Sequence, residues 1–72
     1  MNNSNVAKIQ LNGDPYEING RTNLNELLNK LKIQKNKVAI EVNGEIVQKD
    51  KYKNLVLRKD DKVEIVHFIG GG

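Results

Sequence analysis

One stripe of leucines limits the folds open to this 72-residue chain more than any other feature. The stripe consists of Leu24, Leu27, Leu28 and Leu31. Its spacing of i, i+3, i+4 and i+7 is typical of a helix that is buried along one side. Asn23 precedes the stripe, and Glu26 follows three positions later, as in a capping box. The pattern predicts one helix over residues 24 to 32 that packs its leucines on a sheet.

Outside this stripe the apolar residues follow the period of two that a half-buried strand requires. The predicted strands cover residues 6–11, 16–18, 38–42, 45–47 and 62–69. Asn43-Gly44 is a strong hairpin signal, and Asn12-Gly13-Asp14-Pro15 is read as the turn of another hairpin. Pro15 excludes a central ladder position at that point.

Residues 48–58 have mixed character and predict a loop or a single helical turn. Tyr52, Leu55 and Leu57 are the expected core anchors of this segment.

The order of elements is strand, strand, helix, strand, strand, loop, strand. It predicts an α+β fold with a mixed sheet of four to five strands packed on one helix. We expect the final strand to lie centrally, beside the first. This arrangement is that of the ubiquitin-like β-grasp. The predicted organisation is a flexible N-terminus (1–5), the β-grasp domain (6–69) and a flexible glycine tail (70–72).

Composition argues against catalysis by the chain itself. There is no cysteine, so disulfides, thiolate metal ligands and a side-chain persulfide are excluded. A single histidine, His67, excludes a multi-histidine metal site. A core of this size leaves little room for a catalytic pocket. We therefore expect no catalytic residue, no metal and no bound cofactor, and we interpret His67 as an ordinary strand residue.

Charge and hydropathy limit the classes of partner that the chain could bind. No apolar run approaches the roughly 18 to 20 residues that span a bilayer, and the first residues lack the apolar stretch of a signal peptide. The net charge of +3 is spread along the chain, and the aromatic residues Tyr16, Tyr52 and Phe68 are far apart in sequence. We therefore expect a cytoplasmic protein that binds neither membrane nor nucleic acid.

The last predicted strand has two unequal faces. Val63 and Ile65 would face the helix, whereas Val66 and Phe68 would lie on the open side of the sheet. Exposed apolar residues suggest a docking patch, which with the neighbouring Ile69 comprises Val66, Phe68 and Ile69. The alternative is a bend near His67 that buries both Val66 and Phe68 in the core.

Several segments, in this order, resemble the ThiS family, the sulfur carrier proteins of thiamin thiazole biosynthesis. They are residues 38–47, residues 61–66 and the ending Phe68-Ile69-Gly70-Gly71-Gly72. The opening 9–13 and the leucine helix are similar to that family as well. The resemblance extends from Val6 to Gly72.

The resemblance implies a carrier cycle. An ATP-dependent adenylyltransferase of the ubiquitin-activating type would join AMP to the carboxylate of Gly72. A sulfur donor such as a cysteine desulfurase would displace AMP to leave a thiocarboxylate, and a thiazole synthase would consume the sulfur. Gly70 and Gly71 would form the slender approach to Gly72, and the free carrier would be a monomer.

Other functions stay open at this point. One is the small sulfur-carrying subunit of molybdopterin synthase, which shares the fold and the Gly-Gly ending. Another is a β-grasp interaction or RNA-binding module in which the glycines are an inert terminus or a linker remnant.

Overall fold

The computed structural model describes residues 6–69, which form one mixed five-stranded sheet and one helix. The elements are β1 (Val6–Leu11), β2 (Asp14–Asn19), α1 (Leu24–Leu31), β3 (Val38–Val42), β4 (Glu45–Ile46) and β5 (Lys62–His67). Short 3-10 turns at Lys35–Lys37 and Lys49–Lys51 precede β3 and follow β4. The strand order is β2-β1-β5-β3-β4, with β1 and β5 parallel and the other pairs antiparallel. The predicted fold class and the central place of the last strand are confirmed.

Two asparagine-glycine turns shape the hairpins. Asn12 and Gly13 have φ angles of 51° and 88°, and Asn43 and Gly44 have 53° and 88°. Positive φ at both central residues is the geometry of the two-residue I′ turn, whose twist matches that of the strands. Because the first turn needs only two residues, β2 begins earlier than predicted and contains Pro15. Proline is tolerated there because β2 is an edge strand.

The helix begins with the predicted capping box. Glu26 donates its backbone N–H to Asn23 Oδ1 at 2.8 Å, and Asn23 donates its own N–H to Glu26 Oε1 at 2.9 Å. The helix ends at Leu31 because Lys32 takes a left-handed conformation with φ 60°. It is therefore one residue shorter than the predicted 24 to 32.

The other strand boundaries differ slightly from those predicted. β4 ends at Ile46, and Val47 instead donates its N–H to Ile40 C=O across the end of the hairpin. β5 ends at His67, two positions before the predicted residue 69. β5 ends opposite Val38, the first residue of its partner β3, which local alternation does not record.

The core lies between α1 and one face of the sheet. Its members are Ile9, Ile18, Leu24, Leu27, Leu28, Val38, Ile40, Tyr52, Leu57, Val63 and Ile65. Tyr52 and Leu57 are buried as predicted, and Leu55 packs against them partly buried. The C=O of Tyr52 accepts the N–H of Leu24 at 3.2 Å, which ties the start of the helix to this loop.

The Tyr52 hydroxyl is the unusual group of this core. It is buried, and no atom among residues 6–69 completes a hydrogen bond of regular geometry with it. Burial raises the pKa of Tyr52 above its ordinary value, and the nearby backbone of Ile40 opposes this rise. The native state therefore favours the neutral phenol.

We expect Tyr52→Phe to be at least as stable as the wild type at pH 7, by up to about 1 to 3 kcal/mol, because it removes a buried polar group without a partner. The stability of the wild type also depends on pH, in a direction that the raised pKa fixes. A folded-state pKa above the unfolded value of about 10 gives stability that is present below pH 10 and lost as pH rises through the folded pKa.

Urea unfolding of both proteins at pH 7 and between pH 9 and 11 measures this difference. The advantage of the phenylalanine variant should grow above pH 10, because the two proteins differ in no other ionisable group. A variant that loses more than about 1 kcal/mol at pH 7 would show that the hydroxyl is bonded.

Candidate functional site at the end of β5

The position of β5 depends on the two turn asparagines. Asn12 donates its backbone N–H to Val63 C=O at 2.9 Å, and its Oδ1 accepts the N–H of Ile65 at 2.8 Å. Asn43 donates its N–H to Lys62 C=O at 2.8 Å, and its Oδ1 accepts the N–H of Lys62 at 2.9 Å. Each asparagine thus bonds β5 through both backbone and side chain. Both hairpins hold β5 in register.

The far end of β5 is anchored one residue beyond the strand. Phe68 donates its N–H to Lys37 C=O at 2.9 Å. The Nζ of Lys49 lies 5.5 Å from the centroid of the Phe68 ring and 6.0 Å from that of Tyr52, and it donates to Val38 C=O at 2.9 Å. Backbone and ring of Phe68 are therefore both held, the ring through a cation–π contact.

The next residue is not anchored in the same way. Ile69 is 98 % exposed, and no hydrogen bond to it is found within residues 6–69. Phe68 is therefore the last anchored residue before the glycines.

The two faces of β5 differ as the alternation predicts. Val63 and Ile65 are buried in the core, whereas Val66 and Phe68 are 54 % and 55 % exposed. The alternative in which a bend buries Val66 and Phe68 is therefore wrong. His67, the only histidine, is exposed. A docking role for Val66, Phe68 and Ile69 stays a prediction.

Sequence reasoning missed Lys49. No local pattern connects it to Phe68, because the two side chains meet only when the 3-10 turn at Lys49–Lys51 lies beside the start of β3, where Lys49 bonds Val38. The asparagines were predicted only as turn formers, and their side-chain bonds to β5 carried no local signal either.

Other predicted features lie outside the described residues. These are the proposed site of modification, Gly72, the approach residues Gly70 and Gly71, and residues 1–5. Within residues 6–69, no cluster of three histidine, aspartate or glutamate side chains could hold a metal ion. In the same part of the chain, α1 is the one α-helix and is too short to cross a membrane.

Comparisons with known proteins show which family this chain resembles. The model of the ThiS family matches residues 9–72. The sulfur carrier protein ThiS of Bacillus subtilis is 37% identical over 65 residues, which cover 89% of this chain and 98% of that protein. A protein called thiazole synthase from Magnetococcus marinus is 46% identical over 65 residues, but the matched part is 20% of its length.

A solved structure supports the same assignment. The crystal structure of the thiamine biosynthesis protein ThiS from Geobacter metallireducens superposes with a TM-score of 0.77 at 34% identity. The match covers 90% of this chain and 99% of that one. The chain thus belongs to the ThiS family of ubiquitin-like sulfur carriers.

Proposed function

We propose that this chain is the sulfur carrier of thiamin thiazole biosynthesis and that the carboxylate of Gly72 carries the sulfur. One observation supports the position of the reacting group most directly: the last anchored residue, Phe68, stands immediately before Ile69 and the three glycines. A group beyond these residues would project from a defined point. The named relatives are thiamin proteins, which favours this function over a molybdopterin-synthase-type carrier subunit.

The chemistry explains why a carrier needs partners. A carboxylate is a poor electrophile at neutral pH because its negative charge repels nucleophiles. On this proposal an adenylyltransferase uses ATP to convert the Gly72 carboxylate to an acyl-adenylate, whose leaving group is AMP. This intermediate must be held where water is excluded and where donors stabilise the developing oxyanion.

Sulfur transfer would then follow in three steps. The persulfide of a sulfur donor such as a cysteine desulfurase displaces AMP to give an acyl disulfide at Gly72, which a thiol reductant cleaves to leave the thiocarboxylate. A thiazole synthase transfers this sulfur to its substrate, and an oxygen atom from that substrate or from water takes its place at Gly72, which regenerates the carboxylate. On this proposal the catalytic groups belong to these partners, and the carrier is a cytoplasmic monomer without a cofactor of its own.

On this proposal the carrier contributes the reach of its tail and a surface for docking. From Phe68, the four residues Ile69 to Gly72 reach at most about 14 Å when fully extended. Glycines pass through a narrow channel because they have no Cβ. Ordering each residue in the partner costs about 1 to 2 kcal/mol of backbone entropy, and burying an apolar side chain recovers about 1.5 to 3 kcal/mol. Because Val66 and Phe68 are already about half buried, docking of Val66, Phe68 and Ile69 would offset part of the cost of ordering the tail.

Intact mass spectrometry tests the carrier function. The purified chain is incubated with ATP, a sulfur donor, a thiol reductant and the adenylyltransferase of the same organism. A sulfur nucleophile that displaces AMP leaves sulfur in place of one oxygen, so the mass should rise by about 16 Da. Subsequent addition of thiazole synthase with its substrates should return the mass to its starting value.

The matched control is the chain without Gly71 and Gly72, which should show no gain. The mass before the reaction also reports whether the protein ends at Gly72. An unchanged mass of the full chain, together with undiminished partner binding by the truncated chain, would contradict the carrier function.

The docking role is tested with Phe68→Ala. Loss of the half-exposed ring should raise the Kd for the adenylyltransferase about tenfold, which corresponds to about 1.4 kcal/mol. The free energy of unfolding should fall by less than about 1 kcal/mol, because the ring loses mainly its cation–π contact with Lys49. Titration calorimetry and urea unfolding measure the two quantities.

Val56→Ala is the matched control, since Val56 is 47 % exposed but lies opposite Asn23 at the start of the helix. It should leave the Kd unchanged. If Phe68→Ala binds normally, Phe68 does not dock; if it unfolds, the ring is a structural residue.

A further inference from the structure

The two edges of β5 are covered unequally. Every residue of β3 pairs with β5, from Val42 opposite Val63 to Val38 opposite His67. β1 pairs with β5 only at Gln10–Lys62 and Leu11–Val63. The chain then turns at Asn12 and leaves as β2 on the far side of β1. The second half of β5 therefore has a neighbouring strand on one side alone.

The backbone of His67 points to the uncovered side. The N–H of Ile65 donates to Asn12 on the β1 side, and the N–H of Phe68 donates to Lys37 on the β3 side. Because backbone groups alternate sides along a strand, the N–H and C=O of His67 face the β1 side, as does the C=O of Ile65. Within residues 6–69, no backbone or side-chain group hydrogen-bonds to them.

This edge lacks the protection that the outer strands of the sheet have. β2 carries Pro15 and the charged Glu17, and β4 is only two residues long. These are common ways to prevent strands of other chains from pairing. The open edge reads Val-His-Phe-Ile at residues 66–69, without a proline, a lysine or an acidic residue. Such a segment favours strand pairing.

We propose that the open edge of β5 pairs with an extended segment of the adenylyltransferase. This segment would add a strand to the sheet next to β5, in the space beyond the end of β1. The proposal rests on the carrier function above and names how that partner holds the tail. Backbone groups in a row recognise another extended backbone. The exposed Val66 and Phe68 side chains belong to the same stretch, so apolar docking and backbone pairing act on the same residues.

Pairing of this kind would explain how a glycine tail is guided. Glycine has no side chain by which a partner could recognise the tail. The direction of the tail must therefore be set by the residues that precede the glycines. A strand added at His67 would align the backbone in the direction of β5 and would make the tail its continuation.

Residue-resolved hydrogen exchange of the wild-type complex tests the pairing directly. The His67 amide should exchange at least tenfold more slowly when saturating adenylyltransferase is present, because its N–H gains an acceptor. The Phe68 amide is the internal control, since it is already bonded to Lys37 in the free chain and should change less.

Two substitutions at one position separate the backbone from the side chain. His67→Pro removes the outward N–H but leaves the ladder to β3 intact, whereas His67→Ala removes only the imidazole. The proline variant should bind the adenylyltransferase at least tenfold more weakly and show a raised KM in the adenylylation reaction. The alanine variant should stay within about threefold of the wild type, which is less than the loss of one hydrogen bond.

The outcomes distinguish this proposal from the carrier function. If the wild type gains no sulfur but His67 is protected in the complex, the pairing stands and the carrier function fails. If the wild type gains sulfur while the His67 amide exchanges unchanged in the complex, the pairing is wrong. A free chain that is already dimeric, with His67 protected before the partner is added, would assign the edge to a second copy and overturn the proposal. If the proline variant does not fold, the exchange measurement on the wild type decides.

Discussion

Hydrogen bonds from Asn12 and Asn43 to β5 are the interactions on which the rest of the structure depends. Each asparagine occupies a position of positive φ, which few other residues with a side chain tolerate well. At the same time its side-chain oxygen accepts a backbone N–H of β5. One residue type therefore makes the hairpin and joins it to the central strand. Without this connection, β1 and β5 would share only two paired positions.

A fixed β5 gives the described part of the chain an abrupt boundary between anchored and exposed residues. Lys37 holds the backbone of Phe68, and Lys49 holds its ring. Ile69 is almost fully exposed directly afterwards. Anchoring of the described chain therefore ends at Phe68, directly before the last described residue.

The same topology explains both the stability of the sheet and the opening in its centre. A first strand that ran farther beside β5 would cover His67 and complete the ladder. The early turn at Asn12 instead leaves the second half of β5 open on that side. The molecule thus places its unprotected edge, its exposed apolar residues Val66 and Phe68, and its glycines on one continuous stretch of chain.

The sequence by itself determined the features that depend on residues a few positions apart. The leucine stripe with its Asn23 cap, the two asparagine-glycine hairpins and the alternation of Val63 and Ile65 with Val66 all reflect local geometry, and the ThiS resemblance followed from their order. The features that depend on strand order and register were decided only by the tertiary structure. The contact of Lys49 with Phe68, the bonds from the turn asparagines to β5 and the open edge at His67 join groups distant in sequence, so no local pattern records them.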